Sequence, residues 1–318
     1  MTIPSPTTPR SRTTSTVVPL LKWVGGKRQL LPCIRPFYPR TFGTYIEPFF
    51  GSGAVFFDLW NAGRLAARRA LLIDSNSDLI GCYQMVRQHP ARVLRVLGEL
   101  AEAHARDGRA HYYDVRDRRF NPLRAAARRP DGNVEYTPEL AAMLIYLNRT
   151  GFNGLYRVNA QGHFNVPAGR YLRPQIADRE RLTGVAHVLE RATVQLRLGS
   201  FDEVLELAAP GDFLYIDPPY APVSTTASFT AYTARRFDEG DQRRLQQVVI
   251  ALARRGCWIV VSNSTAPAIA ALYDDNAEAR RAGLRAYRVL ARRAVNSVGA
   301  KRGAVDEYLI SNVPRTDR

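Results

Sequence analysis

Tyr45-Ile46-Glu47-Pro48-Phe49-Phe50-Gly51-Ser52-Gly53 reads as a short strand that runs into a glycine turn and then a helix. In a doubly wound α/β sheet such a turn lies beyond the carboxyl end of the first strand, where small residues let a ligand approach the backbone. Asp74 ends the next apolar run about twenty residues later, where such folds place an acid for ribose hydroxyls. Together the two features point to a nucleoside-bearing cofactor. A lone Gly-x-Gly is also an ordinary tight turn. The third glycine of the dinucleotide fingerprint is missing, which weighs against a nicotinamide dinucleotide.

Outward from this stretch, short runs rich in β-formers recur at 44–46, 70–73, 194–198, 213–216, 257–262, 287–290 and 308–311. Helical patterns lie between several of them, at 54–62, 78–87 and 239–254. Strands alternating with helices predict βαβ units and a doubly wound, mostly parallel sheet. Residues 90–178 break the rhythm: helical and Arg-rich at first, then Gly-, Asn- and Pro-rich from 148 to 171. They are expected to form an inserted, mainly helical subdomain. Its last part should hold a hairpin, with 156–159 and 163–166 flanking Ala160-Gln161-Gly162. The expected organisation is a disordered leader (1–18), a main domain (19–89 and 179–313), the insert (90–178) and a tail (314–318).

The 318 residues, 46% of them hydrophobic, suffice for a full core. No apolar span is long enough for a membrane, and no signal-peptide core follows the start. Cys33, Cys82 and Cys257 are far apart without metal-ligand spacing, so reduced core thiols in a cytosolic protein are expected, with no metal. The net charge is +16, which favours a polyanionic partner. Only Lys22, Lys27 and Lys301 are lysines, so the arginine bias also reflects a GC-rich genome.

The chemistry concentrates at Asp217-Pro218-Pro219-Tyr220, directly after the apolar run Phe213-Leu214-Tyr215-Ile216. The prolines fix their own φ and restrict the residue before each to extended geometry. The Asp217 carboxylate and the Pro218 carbonyl can then both point outward as acceptors, with Tyr220 as a stacking platform. This suits a planar amine such as the exocyclic amino group of a nucleobase, although Asp and Pro are also common in plain turns. Near the start, Leu21-Lys22-Trp23-Val24-Gly25-Gly26-Lys27 lacks the Ser or Thr that a phosphate loop carries after its lysine. Trp23 and Lys27 could supply a stacking face and a cation for a carboxylate, or form a turn before a helix.

These segments, in this order, resemble the Dam-type (class alpha) DNA adenine-N6 methyltransferases. The resemblance runs over about residues 19–313. It includes 22–27, 47–53, Asp74-Ser75-Asn76-Ser77-Asp78-Leu79, the stretches 148–159 and 162–171, Asp217–Tyr220, and Glu307-Tyr308-Leu309-Ile310-Ser311-Asn312. It implies the Rossmann-like methyltransferase fold, S-adenosyl-L-methionine (AdoMet) as cofactor, no metal, and transfer to adenine N6 in double-stranded DNA by base flipping. By the same resemblance, Trp23, Lys27, Phe49, Gly51, Gly53, Asp74 and Asp217 contact AdoMet, while Asp217, Pro218 and Tyr220 hold the adenine. Residues 90–178 become the target-recognition region. Phe152 wedges into the base stack, and Asn153, Leu155, Arg157 and Pro167 lie at the other DNA-contact positions. The target implied is GATC or contains GATC. A cytoplasmic monomer is expected, with a cognate restriction endonuclease as a companion of some members. Two alternatives stand beside this: a DNA-binding relative without catalysis, and a methyltransferase acting on RNA or a protein amide. The acceptor pair at Asp217 and Pro218 argues against the first, and the long insert argues for duplex DNA.

Overall fold

The computed structural model describes residues 16–23, 25–221, 237–292 and 304–315. Most of the leader expected over 1–18 and the last residues of the expected tail lie outside them. At the centre is a seven-stranded sheet in the order β3-β2-β1-β4-β5-β7-β6. Its strands are β1 (Tyr45–Glu47), β2 (Ala70–Asp74), β3 (Val194–Leu198), β4 (Phe213–Ile216), β5 (Trp258–Ser264), β6 (Arg285–Arg292) and β7 (Ala304–Ser311). The first five pair in parallel, whereas β7 lies between β5 and β6 and is antiparallel to both. Each expected strand is present. The antiparallel insertion of β7 is the detail that apolar runs alone did not contain.

The central strands are apolar on both faces because helices cover both. Tyr45, Leu72, Phe213, Tyr215, Val260 and Leu309 belong to one core cluster. Their strand neighbours Ile46, Ile73, Leu214, Ile216, Ile259, Val261 and Ile310 belong to the other. This continuous burial is the signature of a parallel sheet between helical layers, each fully buried side chain contributing about 1.5–3 kcal/mol.

Helix starts are fixed by local chemistry. Asn76 Oδ1 accepts from the N–H groups of Asp78 and Leu79 at the head of the helix Ser77–Gln88. Thr137 caps Pro138–Thr150, and a capping box between Asp238 and Asp241 opens Glu239–Arg254.

Between β2 and β3 the chain forms the helices Ser77–Gln88, Pro90–Arg106, Gly108–Tyr113, Asn121–Ala126 and Pro138–Thr150, then an irregular stretch, then Arg179–Leu189. The hairpin expected near 156–166 is present as a single antiparallel bridge, Val158 to Phe164. It is flanked by bonds from Asn159 N–H to His163 O and from Asn165 N–H to Arg157 O. Gly162, at φ 78°, turns it. Among the described residues no helix is long and apolar enough to cross a membrane.

Candidate active site

Strand order reverses between β1 and β4, so the crevice beyond their carboxyl ends is the topological switch point where open α/β sheets bind ligands. Three acids stand at that edge: Glu47 ends β1, Asp74 ends β2 and Asp217 follows β4. Between them runs the turn 48–53, with Gly51 at φ 50° and Gly53 at φ 70°, both in the left-handed region that favours glycine. A Cβ on Gly51 would lie 3.1 Å from Trp23 Cδ1, so the turn and the Trp23 ring are in close approach. Asp74 fastens the turn: Oδ2 accepts from Gly51 N–H at 3.0 Å and Oδ1 from Asn76 N–H at 2.9 Å. Burial pushes the Asp74 carboxyl up to about 6, against the opposing pull of these backbone donors.

Asp217 is the centre of charge. Its side chain is 18% exposed, and Lys27 Nζ lies 2.8 Å from Oδ1. Sequence reading makes Asp217 a solvent-facing strand-end residue; the structure shows it largely enclosed and ion-paired. Burial raises its carboxyl to about 6; Lys27 opposes this shift and Glu307 adds to it. Lys27 is itself buried, donates to Gly25 O at 2.6 Å and sits 4.6 Å from the centre of the Tyr220 ring. Tyr220 in turn donates from its hydroxyl to Glu307 Oε2 at 2.7 Å. Glu47 accepts from Tyr45 Oη at 2.7 Å, and its burial drives its carboxyl well above the usual range. The ammonium, the aromatic face and the carboxylate thus meet on the Pro-Pro turn, and Glu307 arrives from β7. Glu307 carries no role in the sequence reading, although it opens the quoted segment 307–312.

The other expected positions fall into two groups. Trp23 stacks on Tyr156 with ring centres 5.3 Å apart and planes inclined by 25°. Phe49 stacks on Phe201 with ring centres 5.4 Å apart. Phe152, Asn153, Leu155, Arg157 and Pro167 come together on the irregular stretch, where Phe152 N–H donates to Pro167 O at 2.9 Å. Phe152 is 44% exposed, and Asn153 holds a left-handed φ of 54°. Arg157 is exposed, its guanidinium held by Asn165: Nε to Oδ1 at 2.7 Å and Nη2 to the carbonyl at 3.3 Å. Trp23 to Tyr156 joins the two groups, since Tyr156 directly precedes Arg157.

A cavity of about 600 Å³ opens elsewhere, among Arg106, His111, Asp114 and Arg118. None of the strand-end acids lines it.

A switch-point glycine turn, an acid ending the second strand and an enclosed Asp-Pro-Pro-Tyr after the fourth come together at one edge of a Rossmann-like sheet. Comparison with known proteins makes the class specific. Residues 23–287 match the family described as D12 class N6 adenine-specific DNA methyltransferase. The chain is 36% identical to the type II methyltransferase M1.LlaDCHI of Lactococcus lactis subsp. cremoris, over 92% of this chain and 95% of that one. It is 36% identical to the type II methyltransferase M.MjaIII of Methanocaldococcus jannaschii, over 93% and 99%. It is 33% identical to the DNA adenine methylase of Escherichia coli K12, over 91% and 93%. The chain belongs to the D12 class of N6 adenine-specific DNA methyltransferases.

Proposed function

We propose that this chain methylates the N6 amino group of adenine in duplex DNA within GATC or a GATC-containing site, with AdoMet as donor and by base flipping. The observation that carries the chemistry is Asp217, enclosed beside Lys27 on a Pro-Pro turn at the switch point. The residues present fit AdoMet. The glycine turn places the Trp23 ring against Gly51, and Asp217 Oδ1 is buried with Lys27 as its ion-pair partner and no further hydrogen bond. Trp23, Lys27, Phe49, Gly51, Gly53, Asp74 and Asp217 would hold the cofactor. When bound, AdoMet supplies an electrophilic methyl group.

The adenine amino nitrogen is a weak nucleophile because its lone pair is delocalised into the ring. Asp217 and the Pro218 carbonyl accept its two hydrogens, favour a pyramidal nitrogen and stabilise the positive charge that grows on it. This is electrostatic preorganisation with alignment, without a covalent enzyme intermediate. Tyr220 stacks on the extruded base, offsetting the few kcal/mol that flipping costs. The bacterial and archaeal relatives support action on cytoplasmic DNA. The type II relatives support a cognate restriction endonuclease as partner.

AdoMet, or its demethylated product, is expected to raise the melting temperature by mass action. Trp23→Ala and Asp74→Ala should each shrink that shift in a thermal-unfolding titration. If both variants keep the full shift, the cofactor lies elsewhere.

Arg157 is expected to read one guanine through its major-groove edge, a contact contributing roughly 1–3 kcal/mol of discrimination. Arg157→Ala should then relax specificity at one base pair while binding to random DNA changes little. Uniform weakening on all sequences, with a flatter salt dependence, would instead mark a phosphate contact. Mapping methylated adenines in DNA from an expressing host tests the target directly, and modification outside GATC would reject that assignment.

A further inference from the structure

Pro218 and Pro219 carry no backbone N–H, so the turn that presents the acceptor pair cannot brace itself through its own donors at these positions. The bracing comes from two other elements. Gln242, in the first turn of the helix Glu239–Arg254, donates from Nε2 to Pro219 O at 2.9 Å. Asn263 of β5 donates from Nδ2 to Gln242 Oε1 at 3.0 Å, and its own Oδ1 accepts from Ser264 N–H at 2.8 Å. Ser264 Oγ donates to Ala221 O at 2.7 Å. Gln242 is 4% exposed and Asn263 0%, so each buried polar group has its partner inside the protein.

The chain of bonds acts on a particular carbonyl. The pyrrolidine ring fixes φ at Pro219, leaving only its ψ between the Pro219 carbonyl and the peptide plane that carries Pro218 C=O. Fixing Pro219 O therefore fixes the direction of Pro218 C=O. Strand β4 holds the other end of the turn at Ile216. Asn263 sets which way the Gln242 amide faces, because a flipped amide would bring its NH₂ against the Asn263 NH₂ and its oxygen against Pro219 O.

We infer that Gln242 and Asn263 are positioning residues that aim the Pro218 carbonyl at the target amino group. The inference rests on the reading above, in which Pro218 C=O accepts from that group. Both side chains are buried and bonded within the protein, so their loss should appear in the chemical step and not in binding. A displaced acceptor commonly costs on the order of tenfold to a hundredfold in rate.

Gln242→Leu is expected to lower the single-turnover rate of methyl transfer at least about tenfold. The dissociation constants for AdoMet and for duplex DNA should stay within about threefold, a change too small to account for the rate. Gln242→Glu gives a second signature. As a carboxylate it faces Pro219 O with no proton to donate; protonated, it donates again. Its rate relative to the parent, measured at each pH, should therefore rise as the pH falls, which a loss of packing alone would not produce. Should Gln242→Leu fail to fold, this ratio carries the test alone. A Gln242→Leu enzyme with parental single-turnover rate, or a Gln242→Glu ratio independent of pH, overturns the inference. If Asp217→Asn also retains activity, the reading of the whole tetrapeptide fails. If folded Asp217→Asn is inactive while Gln242→Leu is not, only the positioning role fails.

Discussion

Asp217→Asn is expected to lower methyl transfer by ~10²-fold or more while leaving a folded protein, since loss of a charged transition-state contact costs that much in comparable sites. The Asn oxygen can still face Lys27 Nζ, now 2.8 Å from the carboxylate, so the enclosed ammonium keeps an acceptor. Asp217→Ala removes that acceptor as well and should also destabilise the fold, which makes Asn the cleaner variant. The pH dependence has opposite signs for stability and for activity. The Asp217 carboxyl is raised to about 6 from an ordinary 3.8, chiefly by burial. Folding therefore favours its protonated form; that stability is present below the unfolded value and is lost as pH rises through about 6. Activity needs the ionised form and should fall as pH drops through about 6. At pH 8 the Asn variant should melt no lower than the parent, and the comparison should turn against it at pH 4. Near-parental turnover by Asp217→Asn would remove the carboxylate from the mechanism.

The largest stability loss is expected at Asp78→Ala, about 3–5 kcal/mol, the usual cost of stranding a buried charge. Asp78 receives Arg124 Nε at 2.6 Å and Nη2 at 2.7 Å, Tyr136 Oη at 2.9 Å and Tyr156 Oη at 2.6 Å. Its side chain is 3% exposed and that of Arg124 9%, so solvent cannot replace the missing partner. Without Asp78 the guanidinium is left beside two tyrosines. For a protein of this size the loss corresponds to a fall in melting temperature of about 10 °C. Calorimetry on the parent and on Asp78→Ala checks it, and a shift within about 2 °C would show that water enters and solvates Arg124. Because Tyr156 is part of this network and precedes Arg157, the variant should also loosen the loop that carries Arg157.

The strands were legible because most hold a short run of aliphatic and aromatic residues closed by a polar or glycine break, as at Phe213-Leu214-Tyr215-Ile216-Asp217. The acid at Asp74 and the prolines after Asp217 could be read because their chemistry is local. Asp78 could not. At the head of the helix Ser77–Gln88 an acid is already accounted for by the helix dipole, and its partners come from 46 to 78 residues away. Gln242 was equally silent, because a glutamine in a helix's first turn signals nothing until the turn it braces is folded beside it. The enclosure of Asp217 also escaped, since a strand-end acid reads as solvent-facing and its partner Lys27 lies near the other end of the sequence. The place of β7 between β5 and β6 depends on pairing, which composition does not encode.

The contact between Tyr220 and Glu307 has a consequence for how the protein comes into being. Glu307 lies 87 residues beyond Tyr220, on the strand that also supplies β5 with its outer neighbour. Contacts of such sequence separation form late, after long loops have closed. A nascent chain still on the ribosome and ending before β7 has an unpaired edge at β5 and a Tyr220 hydroxyl without its acceptor. The Tyr220 contact and the pairing of the central sheet are thereby completed by the same strand.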